Sequence, residues 1–226
     1  MSASNALAKK QYPPQTGKYK IVVKSGDDWR SFDQARFPIS VGQPYHEGEK
    51  LKDTFAWAAA RFEGISILLA DTLQRFNLSA RFGLSAEDAE KHARKLGDDW
   101  LQRNSPAIEA SNISVNRWDD WRLSSAFTSA WKSVNDAYQE DHSFQTIVNE
   151  TANRVCERSG NPSLFVPSCE YLLEETAVTA LFSDASVIDL YPGSNFKGFD
   201  HLRDRPTKGL ENYAQWRSAR IHHLSR

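Results

Sequence analysis

The hydrophobic positions divide the chain into short β-rich runs and longer stretches of helical period. YKIVV, 19–23, and the alternating Phe37, Ile39 and Val41 predict two strands entering one sheet. From Glu49 to Glu63, Leu51, Phe55, Ala58, Ala59 and Phe62 recur at helical spacing, and Gly64 reads as the glycine just past a helix end. ISILLAD, 65–71, is a continuous apolar run closing on an acid, the pattern of a strand buried on both faces of a parallel sheet. Strand, helix and strand form a βαβ unit, which brings the residues after Val41 and after Ala70 to the same sheet edge.

Ser85 with Asp88 three positions on predicts a capped helix to about Arg103, polar nearly all round. ISVNRW, 113–118, predicts another strand. A long helical stretch then runs from Asp119 or Asp120 through Trp131, Phe144 and Val155 to the break at Gly160, Asn161 and Pro162. SLFVPSCEYLLEETAVTALF is helical from about Pro167, and VIDLY, 187–191, returns as a strand ending at Pro192 and Gly193. Residues 1–17 predict a disordered lead-in, 18–196 the folded domain, and 197–226 a peripheral basic tail. The expected class is α/β, a single domain with a mostly parallel sheet flanked by helices.

With 226 residues, 40% hydrophobic and 25% charged, the chain supports one substantial core. A formal net charge of −1 excludes a global positive field, so any nucleic-acid contact must be a local patch. Cys156 and Cys169 lack the CxxC spacing of a zinc or redox site and read as reduced packing residues. No stretch has the apolar length of a signal sequence or bilayer span, so a cytoplasmic protein without a membrane partner is expected.

Candidate chemistry centres on Ser40, where an apolar run meets the turn Gly42, Gln43 and Pro44. A hydroxyl at a strand-to-loop-to-helix junction points into the crevice where open α/β sheets bind ligands; a turn serine bonding its own backbone has the same local pattern. Asp71 is either a second wall of that crevice or a turn cap. Tyr171 and Glu175, four apart, stack a phenol and a carboxylate on one helical face. Serine, tyrosines and glutamate suit acyl transfer through an acyl-enzyme. The G-x-S-x-G elbow of a hydrolase is absent, the neighbourhood being P-I-S-V-G, and His46 reads as a surface loop residue. An acyl donor already activated, such as an ester on the sugar of a tRNA, needs no strong base.

Taken together in order and spacing, these segments resemble the tRNA-dependent cyclodipeptide synthases from about Phe37 to Pro192. PISVGQPY is similar to the family segment G-[LVI]-S-x-x-N-S-x-F, with Ser40 on the nucleophile. FAWAAARFE and ISILLADTL resemble its next helix and strand, AYQEDHSFQTIVNE its aromatic and acidic helix, and YLLEETA its Y-[LVI]-x-x-E-x-P, with Tyr191 of DLYPG where the family has Tyr-His. The resemblance implies a Rossmann-like domain related to class I aminoacyl-tRNA synthetase catalytic domains, with aminoacyl-tRNAs as substrates and neither ATP nor a metal. It implies that Ser40 carries the first aminoacyl group, that Tyr171 and Glu175 hold its ammonium, that Glu175 relays protons and that Tyr191 assists cyclisation. Gly42, Gln43, Tyr45 and Asp71 are the expected substrate-binding residues, and a monomer is expected.

The chain departs from the family pattern at Pro38, Gln43, Pro44, Ala177 and Pro192. These departures resemble a divergent branch making arginine-containing cyclodipeptides, whose guanidinium needs an acid; Asp71, Asp119, Asp120, Glu174 and Asp189 are available. The helix 85–103, basic in many relatives, holds four Lys or Arg against five Asp or Glu here. Residues 1–36 and 197–226 each hold seven against three, which makes the two ends candidates for the RNA contacts, a solvated charged tail having the same pattern. Transfer of the aminoacyl group to another amine, and a non-catalytic tRNA- or nucleotide-binding module, remain the alternatives.

Overall fold

The computed structural model describes residues 12–226. Its six strands are β1 (Tyr19–Gly26), β2 (Gln34–Ser40), β3 (Gly64–Ala70), β4 (Ser114–Arg117), β5 (Val187–Tyr191) and β6 (Ser218–Ser225). They form one sheet in the order β1-β6-β5-β2-β3-β4, parallel throughout except that β1 runs antiparallel to β6. From β2 the chain builds outward through β3 to β4, and from β5 the other way to β6. The order therefore reverses between β2 and β5, the point where such sheets open a crevice at the carboxyl ends of their strands.

Side-chain alternation along the strands sorts two cores. Phe37, Ile39, Ile65, Ile67, Leu69, Ile188 and Leu190 pack against α1 (Gly48–Ala59) and α3 (Ala86–Ala110) on one face. Leu68 and Ala70 face the other way, onto α4 (Trp118–Arg122) and α7 (Phe165–Phe182). Behind α7 lie α5 (Phe127–Glu140), α6 (His142–Ser159) and α8 (Lys197–Asp204), in a second cluster around Phe144, Phe199 and Trp216. The short α2 (Arg75–Phe82) bridges α3 and α7.

Several expectations change. Gly64 opens β3 instead of ending a helix, α1 having closed at Ala59. The helix from Ser85, capped by Ser85 Oγ accepting the Asp88 N–H, continues to Ala110. It is not polar all round: Ala89, Ala93, Gly97 and Trp100 form its buried stripe. The long helical stretch after Asp119 is three helices, broken around Leu123–Ala126 and again at Asp141, whose carboxylate accepts the N–H groups of Ser143 and Phe144.

The ends differ most. Residues 197–226 are no peripheral tail, since β6 lies inside the sheet between β1 and β5, and Tyr213, Trp216, Ala219 and Ile221 are buried. The expected disorder of residues 1–11 lies outside the described residues. Beyond them Tyr12 packs on Trp29, and the Gln15 amide pairs with both backbone groups of Ile21.

The sheet is tied across its switch point by a buried ion pair. Asp189 Oδ1 accepts Arg36 Nε–H at 2.7 Å and Oδ2 accepts Trp216 Nε1–H at 2.8 Å, while Arg36 donates to the Phe182 carbonyl and lies over the Phe182 ring. Removing one partner of a buried pair strands the other charge. Asp189→Ala should therefore lower stability by about 3–5 kcal/mol, read from the midpoint of denaturant unfolding; an unchanged midpoint would show that the pair carries no such constraint.

Candidate active site

The β2–β5 ladder ends at Arg36 and Asp189, and beyond it β2 runs on to Ser40 and β5 to Tyr191. Alternation sends Phe37 and Ile39 toward α1 and puts Arg36, Pro38 and Ser40 on the α7 face with Asp189 and Tyr191. There Ser40 Oγ lies 3.2 Å from the Tyr191 hydroxyl, which lies 3.0 Å from the Tyr45 hydroxyl. Three hydroxyls form a chain across the switch point, two of them on expected catalytic residues and the third on an expected substrate-binding one.

The loop after Ser40 is built tightly. Gln43 N–H donates to the Ser40 carbonyl at 3.3 Å, and Gly42, at φ 87°, takes the third position of the turn, where a side chain would be strained. Gly42 and Gln43 sit on the exposed rim of this turn. A 3-10 turn at Pro44–His46 then folds His46 underneath, only 2% exposed.

That burial overturns the expectation of a surface histidine. His46 Nδ1 accepts the Ser40 backbone N–H at 3.0 Å, its carbonyl accepts Trp100 Nε1–H at 2.9 Å, and its ring meets Tyr45 and Tyr191 edge-on. Burial holds its pKa down to about 3, so the ring is neutral with its proton on Nε2. By engaging the Ser40 N–H through Nδ1, His46 fixes the backbone that carries the serine. The sequence signal was its place at the aromatic position closing the family-like segment.

α7 supplies the other wall. The Tyr171 hydroxyl accepts Gln74 Nε2–H at 3.4 Å, and the Glu175 carboxyl lies near enough to raise the pKa of both Tyr171 and Tyr191, in each case after burial itself. Burial alone pushes Glu175 up to about 7. Among the described residues no hydrogen bond or ion pair offsets that cost. The helix turn thus delivers an unpartnered carboxyl, poised near neutrality, to the hydroxyl chain.

Asp71 is not brought to this cluster. Alternation points it the other way, onto α3, where it is fully buried; it accepts Thr72 N–H at 2.8 Å and Arg117 Nε–H at 2.9 Å. A Cβ on Gly97 would lie 2.5 Å from Asp71 Oδ2, so α3 closes directly over it. The other acids considered for a guanidinium are also engaged. Asp119 binds Thr72, Arg94 and Arg122, Asp120 accepts Arg117 N–H, Glu174 binds Arg75 and Trp118 Nε1–H, and Asp189 binds Arg36 and Trp216. Among the described residues no group of three His, Cys, Asp or Glu is placed to hold a metal ion.

Comparison with known proteins bears on this geometry. No curated protein matches the sequence significantly. Among solved structures, a cyclodipeptide synthase from Fluoribacter dumoffii superposes with a TM-score of 0.81 at 24% identity, over 92% of this chain and 100% of that one. A Mycobacterium tuberculosis cyclodipeptide synthetase, described as related to type I tRNA synthetases, gives 0.68 at 13% identity over 96% and 98%. One from Candidatus Glomeribacter gigasporarum, bound to Phe-tRNAPhe, gives 0.66 at 19% identity over 85% and 88%. These likenesses establish the Rossmann-like α/β fold shared with that group. The family model for cyclodipeptide synthase matches residues 20–171, well over half the sequence. The chain belongs to the cyclodipeptide synthase family.

Proposed function

We propose that this enzyme joins two aminoacyl groups from aminoacyl-tRNAs into a cyclic dipeptide through a seryl ester on Ser40. The observation that most supports this reading is the hydroxyl chain Ser40–Tyr191–Tyr45 beside the unpartnered Glu175. Ser40 Oγ attacks the carbonyl of the first ester; the ester C–O bond breaks, and the ribose hydroxyl leaves with the serine proton. The α-amine of the Ser40-bound residue then attacks the second ester, forming the peptide bond and releasing the second tRNA. The terminal amine of the resulting dipeptide attacks the seryl ester. Its C–O bond breaks, Oγ regains a proton, and the diketopiperazine leaves.

Each proton transfer has a group at hand. Tyr191, hydrogen-bonded to Oγ, passes protons to and from the serine, while Tyr45 holds the Tyr191 hydroxyl in line. Glu175 binds the α-ammonium as a carboxylate and takes its proton when the amine must become a nucleophile, a task for which a pKa about 7 is suited. The substrate ester already carries the free energy of the peptide bond, so neither ATP nor a metal enters the reaction. All these groups come from one chain, so a monomer suffices. Were arginine one of the two amino acids, its guanidinium would need a partner other than Asp71, Asp119, Asp120, Glu174 and Asp189, all of which are engaged.

Expression in a bacterial host with mass spectrometry of the medium tests the serine step. Ser40→Ala should reduce diketopiperazine by on the order of 10³-fold or more, and product surviving the substitution would rule the seryl ester out.

Glu175 gives a pH signature. Because the carboxylate is the working form, kcat/KM should rise as pH passes through about 7 and then level off. Glu175→Gln should remove that limb and lower the rate by roughly 10²–10⁴-fold. Stability moves the opposite way. The folded state holds this proton more tightly than the unfolded chain, so the contribution is intact below the ordinary 4.5 and is lost as pH rises to about 7. A thermal-melt series over that range should slope downward in the wild type and flatten in Glu175→Gln; parallel slopes would contradict the assignment.

A further inference from the structure

One buried side chain touches all three members of the hydroxyl chain. His46 Nδ1 accepts the Ser40 N–H at 3.0 Å, and its ring lies edge-on to Tyr45, at 4.7 Å between centroids, and to Tyr191, at 5.5 Å. Tyr45 and Tyr191 are themselves edge-on at 5.9 Å. The three rings form a closed edge-to-face set, the arrangement that their quadrupoles favour. In that set the two phenol oxygens meet each other, and Tyr191 meets the Ser40 hydroxyl.

The sheet does not supply this support. The β2–β5 ladder stops at Arg36↔Asp189, and Pro38 has no N–H with which to extend it. Ser40 stands four residues beyond that rung, past the level at which β5 ends. Its N–H is taken by a side chain instead of a strand. A backbone donor at such a place needs a partner, and without one the end of β2 is free to twist and carry Oγ with it.

His46 is fixed in turn from α3. Its N–H donates to the Gln43 carbonyl at 2.9 Å, and its carbonyl accepts Trp100 Nε1–H at 2.9 Å. Trp100 is fully buried, so its indole N–H must find an acceptor inside the fold, and the His46 carbonyl is that acceptor. The next residue is gripped by the same helix: Glu47 accepts from Arg103 at 3.0 Å and from Asn104 at 3.4 Å, both about one turn on from Trp100. α3 therefore holds the turn after Ser40 at two consecutive residues. Moving that turn outward would strand the buried indole N–H.

We infer that His46 is the positioning residue of the nucleophile, and that Trp100, acting through the His46 carbonyl, fixes His46 from α3. This rests on the seryl ester reading above. Its part is geometric: the bond to the Ser40 N–H and the edge contacts with Tyr45 and Tyr191 keep Oγ beside the Tyr191 hydroxyl and aimed at the incoming ester. A nucleophile misplaced by about 1 Å loses on the order of 10²-fold in rate. The loss falls on the chemical step and spares binding.

The test is single-turnover transfer of a radiolabelled aminoacyl group to the full chain, with kcat and KM for the diketopiperazine measured alongside. The donor is the aminoacyl-tRNA whose residue appears in the product made in the bacterial host. His46→Phe keeps a ring and removes the acceptor; it should slow label transfer by about 10²-fold while KM stays within about threefold. His46→Asn, whose Oδ1 can take the Ser40 N–H, should recover about tenfold of that loss, whatever its melting temperature. Trp100→Phe should slow transfer in the same direction, and Trp100→Phe/His46→Phe should be about as slow as His46→Phe alone, because the two act through one contact. Transfer at the wild-type rate in His46→Phe, a His46→Asn no faster than His46→Phe, or losses that add in the double variant would each overturn the inference. If His46→Phe does not fold, Trp100→Phe decides the matter, and a wild-type rate there overturns it. Wild-type protein that makes diketopiperazine without ever carrying label on Ser40 would refute the seryl ester instead, and does so before any variant is made.

Discussion

The joint between β2 and β5 is the constraint from which the chemistry follows. The two strands share only the register from Gln34↔Val187 to Arg36↔Asp189, and the last rung is a buried ion pair with every strong acceptor in use. Below it the strands are one sheet. Above it they are free to part, and the hydroxyls of Ser40 and Tyr191 meet across the gap. The same pair reaches the Phe182 carbonyl at the end of α7 and the Trp216 indole leading into β6. One rung thus fixes the spacing of Ser40, Tyr191, the Glu175 helix and β6. Buried ion pairs are weak contributors to net stability compared with apolar packing; here the gain is register.

The electrostatics divide cleanly. Around the hydroxyls of Ser40 and Tyr191 the groups are neutral or nearly so: a histidine kept uncharged by burial, the tyrosines Tyr171 and Tyr191 with pKa values raised by burial, and a carboxyl whose pKa is pushed up to about 7. The full charges one layer away are matched in pairs, Arg75 with Glu174, Arg117 with Asp71, Arg36 with Asp189. In the reaction proposed above, a crevice of this kind interacts strongly with the α-ammonium of the aminoacyl group, because little competing charge screens it.

Much of this was legible in the residues. The runs ending at Ser40, Ala70 and Tyr191 and the Tyr171–Glu175 spacing on a helix hold in the structure. What was missed has physical causes. α3 read as polar because its buried stripe is made of Ala89, Ala93 and Gly97, residues that score weakly as hydrophobic yet permit the close approach to Asp71. β6 lacks a clear apolar signature because its buried Ala219 and Ile221 alternate with Arg220 and His222. Asp71 takes the turn-cap role instead of the crevice wall, and His46 is buried instead of exposed, for a common reason: which side of the sheet or loop a residue faces depends on tertiary closure, and neither neighbour in sequence reveals it. Asp141 broke a helix without glycine or proline, by capping the next one.

The placement of β6 has a consequence for how the protein comes into being. Ser218 N–H bonds the Asp27 carboxylate, 191 positions away in sequence, and β6 separates β1 from every other strand. During synthesis β1 emerges early with no neighbour to pair with, because the strand that will join it to the sheet is made last. The order of translation is then the reverse of the order of need: β1 must wait as an unpaired edge while the central strands and helices assemble. Closing so long a loop is slow, and an unpaired strand is prone to pair with other chains meanwhile. Lys20 and Lys24 in β1, with Lys18 just before it, keep that waiting strand charged, as edges exposed to other chains commonly are.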